Sequence, residues 1–129
     1  MSGEAEKRVG HPSVQRAAGV RFAHPSERLF AALLDVHGVE WVYEPVEFVL
    51  AWGEDGVPLS AFRPDFWLPT LGCFVELTTA DQRLVTRKNA KVRRLRQLYP
   101  ELTLVVVYQR DFRALLVDNG LDPGAVQAA

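Results

Sequence analysis

A single cysteine, Cys73, in 129 residues excludes an internal disulfide framework, and its place in an aromatic, β-branched run suits a small hydrophobe. Net charge is almost absent: 15 Lys and Arg against 16 Asp and Glu leave −1 at pH 7. The molecule as a whole therefore carries no signature of a nucleic-acid or membrane binder, and any such role must come from charge distribution. No apolar run is long enough to span a bilayer, and the N-terminus lacks the charged-then-apolar pattern of a signal peptide. The expectation is a reducing, cytoplasmic setting with no membrane. His11, His24 and His37 are too scattered to make a metal set. Internal repeats and low-complexity tracts are missing as well.

What is present can build a core: 48% of the residues are hydrophobic, three of them tryptophan, in a length that suits one domain. Residues 1–23 mix Gly, Ala, Arg and Glu without a period and are expected as a loosely ordered arm, with Arg16 and Arg21 as solvated charges. Residues 24–119 form the single α/β domain, and 120–129 a frayed tail. Within the domain, Ser26 as N-cap, Leu29, Phe30, Leu33, Leu34 and His37 as an apolar stripe, and Gly38 as stop predict a first helix. Glu27 lies at the edge of that stripe; it can reach inward, or merely complement the helix dipole. Val39–Glu44 and Val46–Trp52 read as one strand broken at Pro45. Gly53–Gly56 is a turn, and Val57–Phe62 returns in an antiparallel meander. Glu44 and Glu47 are expected on its solvent face.

The stretch from Phe62 to Thr79 places two aromatic, β-branched runs around a Pro/Gly turn, which predicts a β-hairpin. With Thr70 and Leu71 in the loop, Leu68 pairs with Cys73, Trp67 with Phe74, Phe66 with Val75, and so Asp65 with Glu76. Opposed residues hold their Cβ atoms about 4.5–5.5 Å apart, and like charges there are destabilising. A divalent cation with oxygen ligands offsets the repulsion. A one-residue slip, an arginine partner or two solvated strand ends would remove the problem in other ways.

Leu84–Tyr99 predicts a second helix, stopped by Pro100, and Leu102–Val107 a buried central strand parallel to the one carrying Glu76. A last short helix starts with Asp111 as cap and ends near Gly120. In the second helix Leu84, Val92, Leu95 and Tyr99 share a stripe with Lys88, and Lys91 flanks it. A lysine in a core-facing stripe needs an anion or a path to water. Arg83, Arg87, Lys91, Arg93, Arg94 and Arg96 make the rest of this helix basic, an electrostatic footprint for phosphates or a solvated face.

This order of parts, a helix with Glu27, then Pro64-Asp65, then Glu76 in the next strand, then a helix and a buried strand, resembles the PD-(D/E)xK nuclease superfamily over roughly Ser26 to Phe112. The resemblance implies an α/β fold, a mixed β-sheet flanked by helices in a restriction-endonuclease-like core. It implies hydrolysis of phosphodiester bonds in DNA or RNA with Mg²⁺ (or Mn²⁺). Asp65 and Glu76 would hold the ion, assisted by Glu27 and the Leu77 carbonyl. The family's lysine, two residues after the Glu, falls on Thr78. Some members recruit the lysine from the neighbouring helix, and Lys88 has the orientation for that role, with Lys91 second. Catalysis would then rest on Asp65, Glu76 and Lys88. Arg83, Arg87, Lys91 and Arg94 would hold the nucleic-acid backbone with strong salt dependence and little sequence preference, while Thr79 and Gln82 are turn formers that can also reach a phosphate. Two other outcomes stay open: a catalytically inactive nuclease-fold module that binds nucleic acid, and a protein-interaction domain whose basic helix meets an acidic partner. Homodimerisation is a further open option.

Overall fold

The computed structural model describes residues 16–78 and 82–120, and of residues 82–84 the backbone only. After a short turn of 3-10 helix at Ala17–Gly19 come α1 (Pro25–Val36), β1 (Val42–Tyr43), β2 (Phe48–Trp52), β3 (Pro58–Phe62), β4 (Phe66–Leu68) and β5 (Cys73–Thr78). Then follow α2 (Gln82–Leu98), β6 (Leu104–Tyr108) and α3 (Gln109–Asp118). The fold is mixed α/β. Its main sheet has the order β1-β4-β5-β6, antiparallel at the first two pairings and parallel between β5 and β6. β2 and β3 form a separate two-stranded hairpin.

Alternation along β5 divides the molecule into layers. Cys73, Val75 and Leu77 face a core shared with Phe30, Ala31 and Leu33 of α1 and Phe112 and Leu116 of α3. Phe74 faces a second core built with Val92 and Leu95 of α2 and Phe48, Leu50 and Phe62 of the hairpin. Glu76 and Thr78 follow Phe74 on that second face, and all six β5 residues are buried.

The β4–β5 register is the expected one, Phe66 opposite Val75, Trp67 opposite Phe74 and Leu68 opposite Cys73. The loop is wider than two residues: Gly72, with φ 67°, closes it by donating its N–H to the Leu68 carbonyl at 2.8 Å. Widening by one residue on each side keeps the pairing, so register survives a wrong loop length.

Elsewhere the structure corrects the expectation. The runs on either side of Pro45 are not one broken strand: β1 joins the main sheet, whereas β2 pairs only with β3. Glu44 adopts a left-handed φ of 44° and donates its N–H to the Asp65 carbonyl at 2.8 Å. Together with Pro45 it turns the chain out of the sheet, so no continuous meander forms. β6, expected in the centre, is an edge strand. Its apolar run does not mark a central strand: Leu104 is buried, whereas Val105 and Tyr108 are exposed. Arg96 Nη2 donates to the Leu104 carbonyl of this strand at 2.8 Å.

The helix ends also shift. α1 is capped by His24, with Pro25 in the first turn, where its missing N–H costs nothing. Glu27 accepts the His24 N–H at 3.3 Å, half of a capping box. His37 leaves the apolar stripe and bonds Asn119 through Nε2 at 2.9 Å. α3 takes Tyr108 rather than Asp111 as its N-cap, with Asp111 in the first turn. From Arg16 onward the expected arm is packed: Ala17 N–H bonds Asp35 Oδ2 at 2.9 Å, and the Phe22 ring meets Trp41, Tyr43 and Phe66. Residues 1–15 of the arm and 121–129 of the tail lie outside the described residues. No helix among the described residues is long and apolar enough to cross a membrane.

Candidate active site

Pro64, fully buried, leads the chain from the β3 end into Asp65, one residue before β4 begins. The ladder stops at Phe66, and side chains replace its next bonds. Asp65 N–H donates to Glu76 Oε1 at 3.1 Å, and Leu77 N–H donates to Asp65 Oδ2 at 2.8 Å. Each carboxylate is thus fixed by the backbone beside the other, and the two acids are buried together. A one-residue slip or two solvated strand ends would give neither bond.

Lys88 completes the cluster from α2. Its Nζ lies 2.6 Å from Glu76 Oε2 and donates to the Leu77 carbonyl at 2.8 Å. The Lys88 side chain is 30% exposed and that of Glu76 4%, so the ammonium meets a buried charge from the side open to solvent. Such a charge-assisted bond is short and strong. Val92 and Leu95, on the same helical stripe, are buried below it, as the 3.6-residue period requires.

One lysine does not neutralise this much buried acid. Burial, and next the charge of Glu76, push the Asp65 carboxyl up to about 8, although the Leu77 N–H pulls the other way. Burial also raises Glu76, opposed by Lys88. Near neutral pH the pair therefore keeps a proton, the behaviour of two carboxyls forced into one site.

Glu27 is buried but engaged elsewhere: Tyr43 Oη donates to its Oε1 at 2.5 Å, beside the His24 N–H. Its charge still adds to the upward pressure on both Asp65 and Glu76. Among the described residues no three His, Cys, Asp or Glu side chains converge as a metal-holding group. Two carboxylates nevertheless fit Mg²⁺, which commonly takes one or two protein carboxylates and fills its octahedron with water and phosphate. The raised proton affinity of Asp65 marks a place where a cation can replace a proton. One backbone N–H on Asp65 Oδ2 leaves most of that carboxylate's acceptor capacity for an ion. The Leu77 carbonyl is a weaker candidate, because Lys88 already occupies it.

Thr78, at the position where the sequence resemblance expects lysine, is 2% exposed, and its Oγ1 has no hydrogen-bond partner among the described residues. A buried hydroxyl left unsatisfied costs about 1–3 kcal/mol. Tyr43, which no sequence pattern singles out, is half-buried with its phenol bonded to Glu27, and desolvation together with that bond raises its pKa. The only signal for it was an aromatic residue directly before Glu44-Pro45.

The basic helix divides into two kinds of residue. Lys91 Nζ donates to the Ala61 carbonyl at 2.9 Å and Arg94 Nε to the Leu50 carbonyl at 3.4 Å, so both tie α2 to the β2–β3 hairpin. Arg87 and Arg93 are exposed. Arg83 lies in the α2 backbone, but its side chain, like that of Gln82 and the whole of Thr79, is outside the described residues. Glu44 and Glu47 are surface acids, 3.9 and 3.7 Å from the Arg63 guanidinium.

In comparisons with known proteins, no protein family, no curated protein and no solved structure matched the chain.

Proposed function

We propose that this chain is a metal-dependent nuclease of the PD-(D/E)xK type, hydrolysing phosphodiester bonds in DNA or RNA, with Lys88 in place of the lysine missing at Thr78. The observation that carries the reading is the Lys88 ammonium 2.6 Å from Glu76 Oε2, next to Asp65. The sheet and its flanking helices support a restriction-endonuclease-like core, because Asp65 enters β4 and Glu76 lies in the antiparallel partner β5. Mg²⁺ or Mn²⁺, when bound by Asp65 and Glu76, supplies Lewis-acid polarisation of the phosphodiester and activation of water.

The chain's own residues do the rest. Asp65 and Glu76 are each held by a backbone N–H beside the other, so a bound ion would replace the proton they keep while the two backbone bonds fix their positions. Lys88 keeps one positive charge beside Glu76, where negative charge builds on the phosphoryl oxygens in the transition state. Glu27, oriented by Tyr43, adds negative potential that favours a bound cation. Exposed Arg87, one residue from Lys88 on α2, offers a contact for the nucleic-acid backbone.

Incubating the protein with single- and double-stranded DNA and RNA tests this directly. Cleavage is expected with Mg²⁺ or Mn²⁺, with none in EDTA or in Asp65→Asn. Cleavage that survives Asp65→Asn would overturn the assignment. A second reading has its own support: Lys88 already satisfies both Glu76 Oε2 and the Leu77 carbonyl, which suits a fold that binds nucleic acid and does not cut it. Salt-dependent binding with no cleavage under either ion would select that reading.

A further inference from the structure

Arg21, expected from sequence as a solvated charge on a loose arm, has a more defined setting in the fold. Together with Arg28 of α1 it lines a cavity of about 290 Å³, open to solvent and otherwise lined by Ala18, Gly19 and Val20. The chain around it is pinned. Ala17 N–H is bonded to Asp35 Oδ2, and the Phe22 ring packs against Trp41, Tyr43 and Phe66. Arg28 is steadied as well, its guanidinium carbon 5.6 Å from the centre of the Phe22 ring, a cation–π contact. Two like charges thus share one cavity. Among the described residues neither guanidinium has a carboxylate partner. The neighbouring acids are engaged: Glu27, one residue before Arg28, accepts from Tyr43 Oη and the His24 N–H, and Asp35 accepts from Ala17 N–H and Trp41 Nε1.

An anion between two cations offsets their repulsion. Arginine forks match the several oxygens of a phosphate, and the other lining side chains are apolar or absent, so negative charge is what the side chains of this cavity can recognise. Its volume, against about 30 Å³ for one water in the liquid, holds a phosphate and part of the sugar attached to it. We propose that Arg21 and Arg28 form a phosphate-binding site, taking a nucleic-acid phosphate from the backbone or from a strand end. Its use on nucleic acid rests on the nuclease reading. Phe22 meets the Tyr43 ring at 4.7 Å, and Tyr43 holds Glu27 of the candidate active site, so the site gives the substrate a second handhold, apart from the arginines of α2.

Inorganic phosphate, added at constant ionic strength and followed through the arginine Nε–H signals of isotope-labelled protein, tests the site itself. The Arg21 and Arg28 signals are expected to move together along one saturation curve. Arg28→Gln should weaken that binding by about tenfold, the worth of one charged hydrogen-bond partner. Arg110→Gln, the same charge change at an exposed position of α3, should leave it unchanged. Gly19→Asp keeps both arginines and should also weaken it; a Cβ at Gly19 meets no atom within 4 Å, so the new carboxylate is accommodated. Signals that stay still, or equal weakening in Arg28→Gln and Arg110→Gln, would overturn the site.

Oligonucleotide binding in EDTA identifies the source of the phosphate. Tighter binding of strands with a terminal phosphate than of the same strands without one, lost in the Arg21→Gln, Arg28→Gln double variant, assigns a strand end. Equal binding of both, with a salt slope lowered in the double variant by roughly 0.7–0.9 for each phosphate no longer neutralised, assigns the backbone. Affinity and slope unchanged in the double variant would overturn the handhold while leaving the nuclease reading standing. A wild type that binds inorganic phosphate at these arginines but no nucleic acid would overturn the nuclease reading and keep the site.

Discussion

The two faces of β5 are both buried and are built on opposite plans. Toward α1 and α3, Phe30, Phe66, Val75, Leu77, Phe112 and Leu116 make an apolar core with aromatic rings in contact, Phe30 to Phe66 at 5.3 Å and Phe30 to Phe112 at 6.2 Å. Toward α2, the first half of β5 contributes Phe74 to an apolar cluster, and the second half contributes Glu76 and Thr78. One strand thus delivers hydrophobic burial to one side and a charged pair to the other, simply through alternation. The difference teaches where stability is made and where it is given up. Buried carboxyls with a raised proton affinity and an orphan hydroxyl weaken a fold, and they persist because the opposite face supplies the surplus.

The largest effect should come from cutting into the apolar face. Phe66, fully buried against the rings of Phe22, Phe30, Trp41 and Tyr43, should lose about 3–5 kcal/mol of stability on change to Ala. Urea denaturation measures it. A deficit that Mg²⁺ restores would break the division of labour, since this face has no business with a cation.

Lys88→Met tests the polar face. Cleavage should fall by about 10²–10⁴-fold, the usual contribution of a positioned acid–base or charge group, whereas Lys91→Met, removing only a bond to the Ala61 carbonyl, should do much less. The variant also strands Glu76, 4% exposed, without its partner. Breaking a buried pair from one side costs about 3–5 kcal/mol unless the survivor takes a proton. Adding Glu76→Gln to Lys88→Met should therefore recover stability without recovering cleavage. Recovery of both would remove Lys88 from the chemistry.

The pH dependence of stability sharpens the same contrast. Asp65 has an ordinary carboxyl pKa of 3.8 when unfolded and one pushed up to about 8 by burial and by Glu76 when folded. The folded state then binds the extra proton, so this group's contribution is fully present below about pH 4 and is lost as pH rises through about 8. Denaturation in EDTA should show stability falling over that window, Asp65→Asn should flatten the fall, and Mg²⁺ should offset it at the alkaline end. A Phe66→Ala protein should keep the same slope from a lower start.

The division was half legible in the sequence. Alternating aromatic and β-branched residues set the pairing of Phe66, Trp67 and Leu68 with their β5 partners, because only one register buries every large side chain. The period of α2 placed Lys88 above Val92 and Leu95 for the same reason. What failed depends on long-range choices. That the chain leaves the sheet at Glu44 rests on one backbone angle. That β6 lies at an edge is invisible to hydropathy, which counts covered faces. Tyr43 was missed because its bond to Glu27 joins residues from two elements whose approach no local pattern announces. The demand of Thr78 Oγ1 for a partner arises only once the strand is buried.

The smallest expected effect concerns the basic face of α2, where sequence alone treats Arg83, Arg87, Lys91 and Arg94 as equivalent. The structure does not. Lys91 and Arg94 each hold a carbonyl of the β2–β3 hairpin, and a phosphate must compete with that bond for them. Exposed Arg87 has no such bond among the described residues and is adjacent to Lys88 in the chain. Removing one cation that neutralises a phosphate should reduce the slope of log affinity against log salt by roughly 0.7–0.9. Arg87→Ala should show that full change with fold stability untouched. Lys91→Ala and Arg94→Ala should show less of it, and should instead loosen the hairpin by under about 1 kcal/mol each, the net worth of an ordinary hydrogen bond. Binding titrations at several salt concentrations, paired with denaturation of the same proteins, separate the two effects. Equal slopes for all three variants would mean that the bonds to the hairpin yield freely to phosphate, and that the whole face, including the tethered residues, belongs to the binding surface.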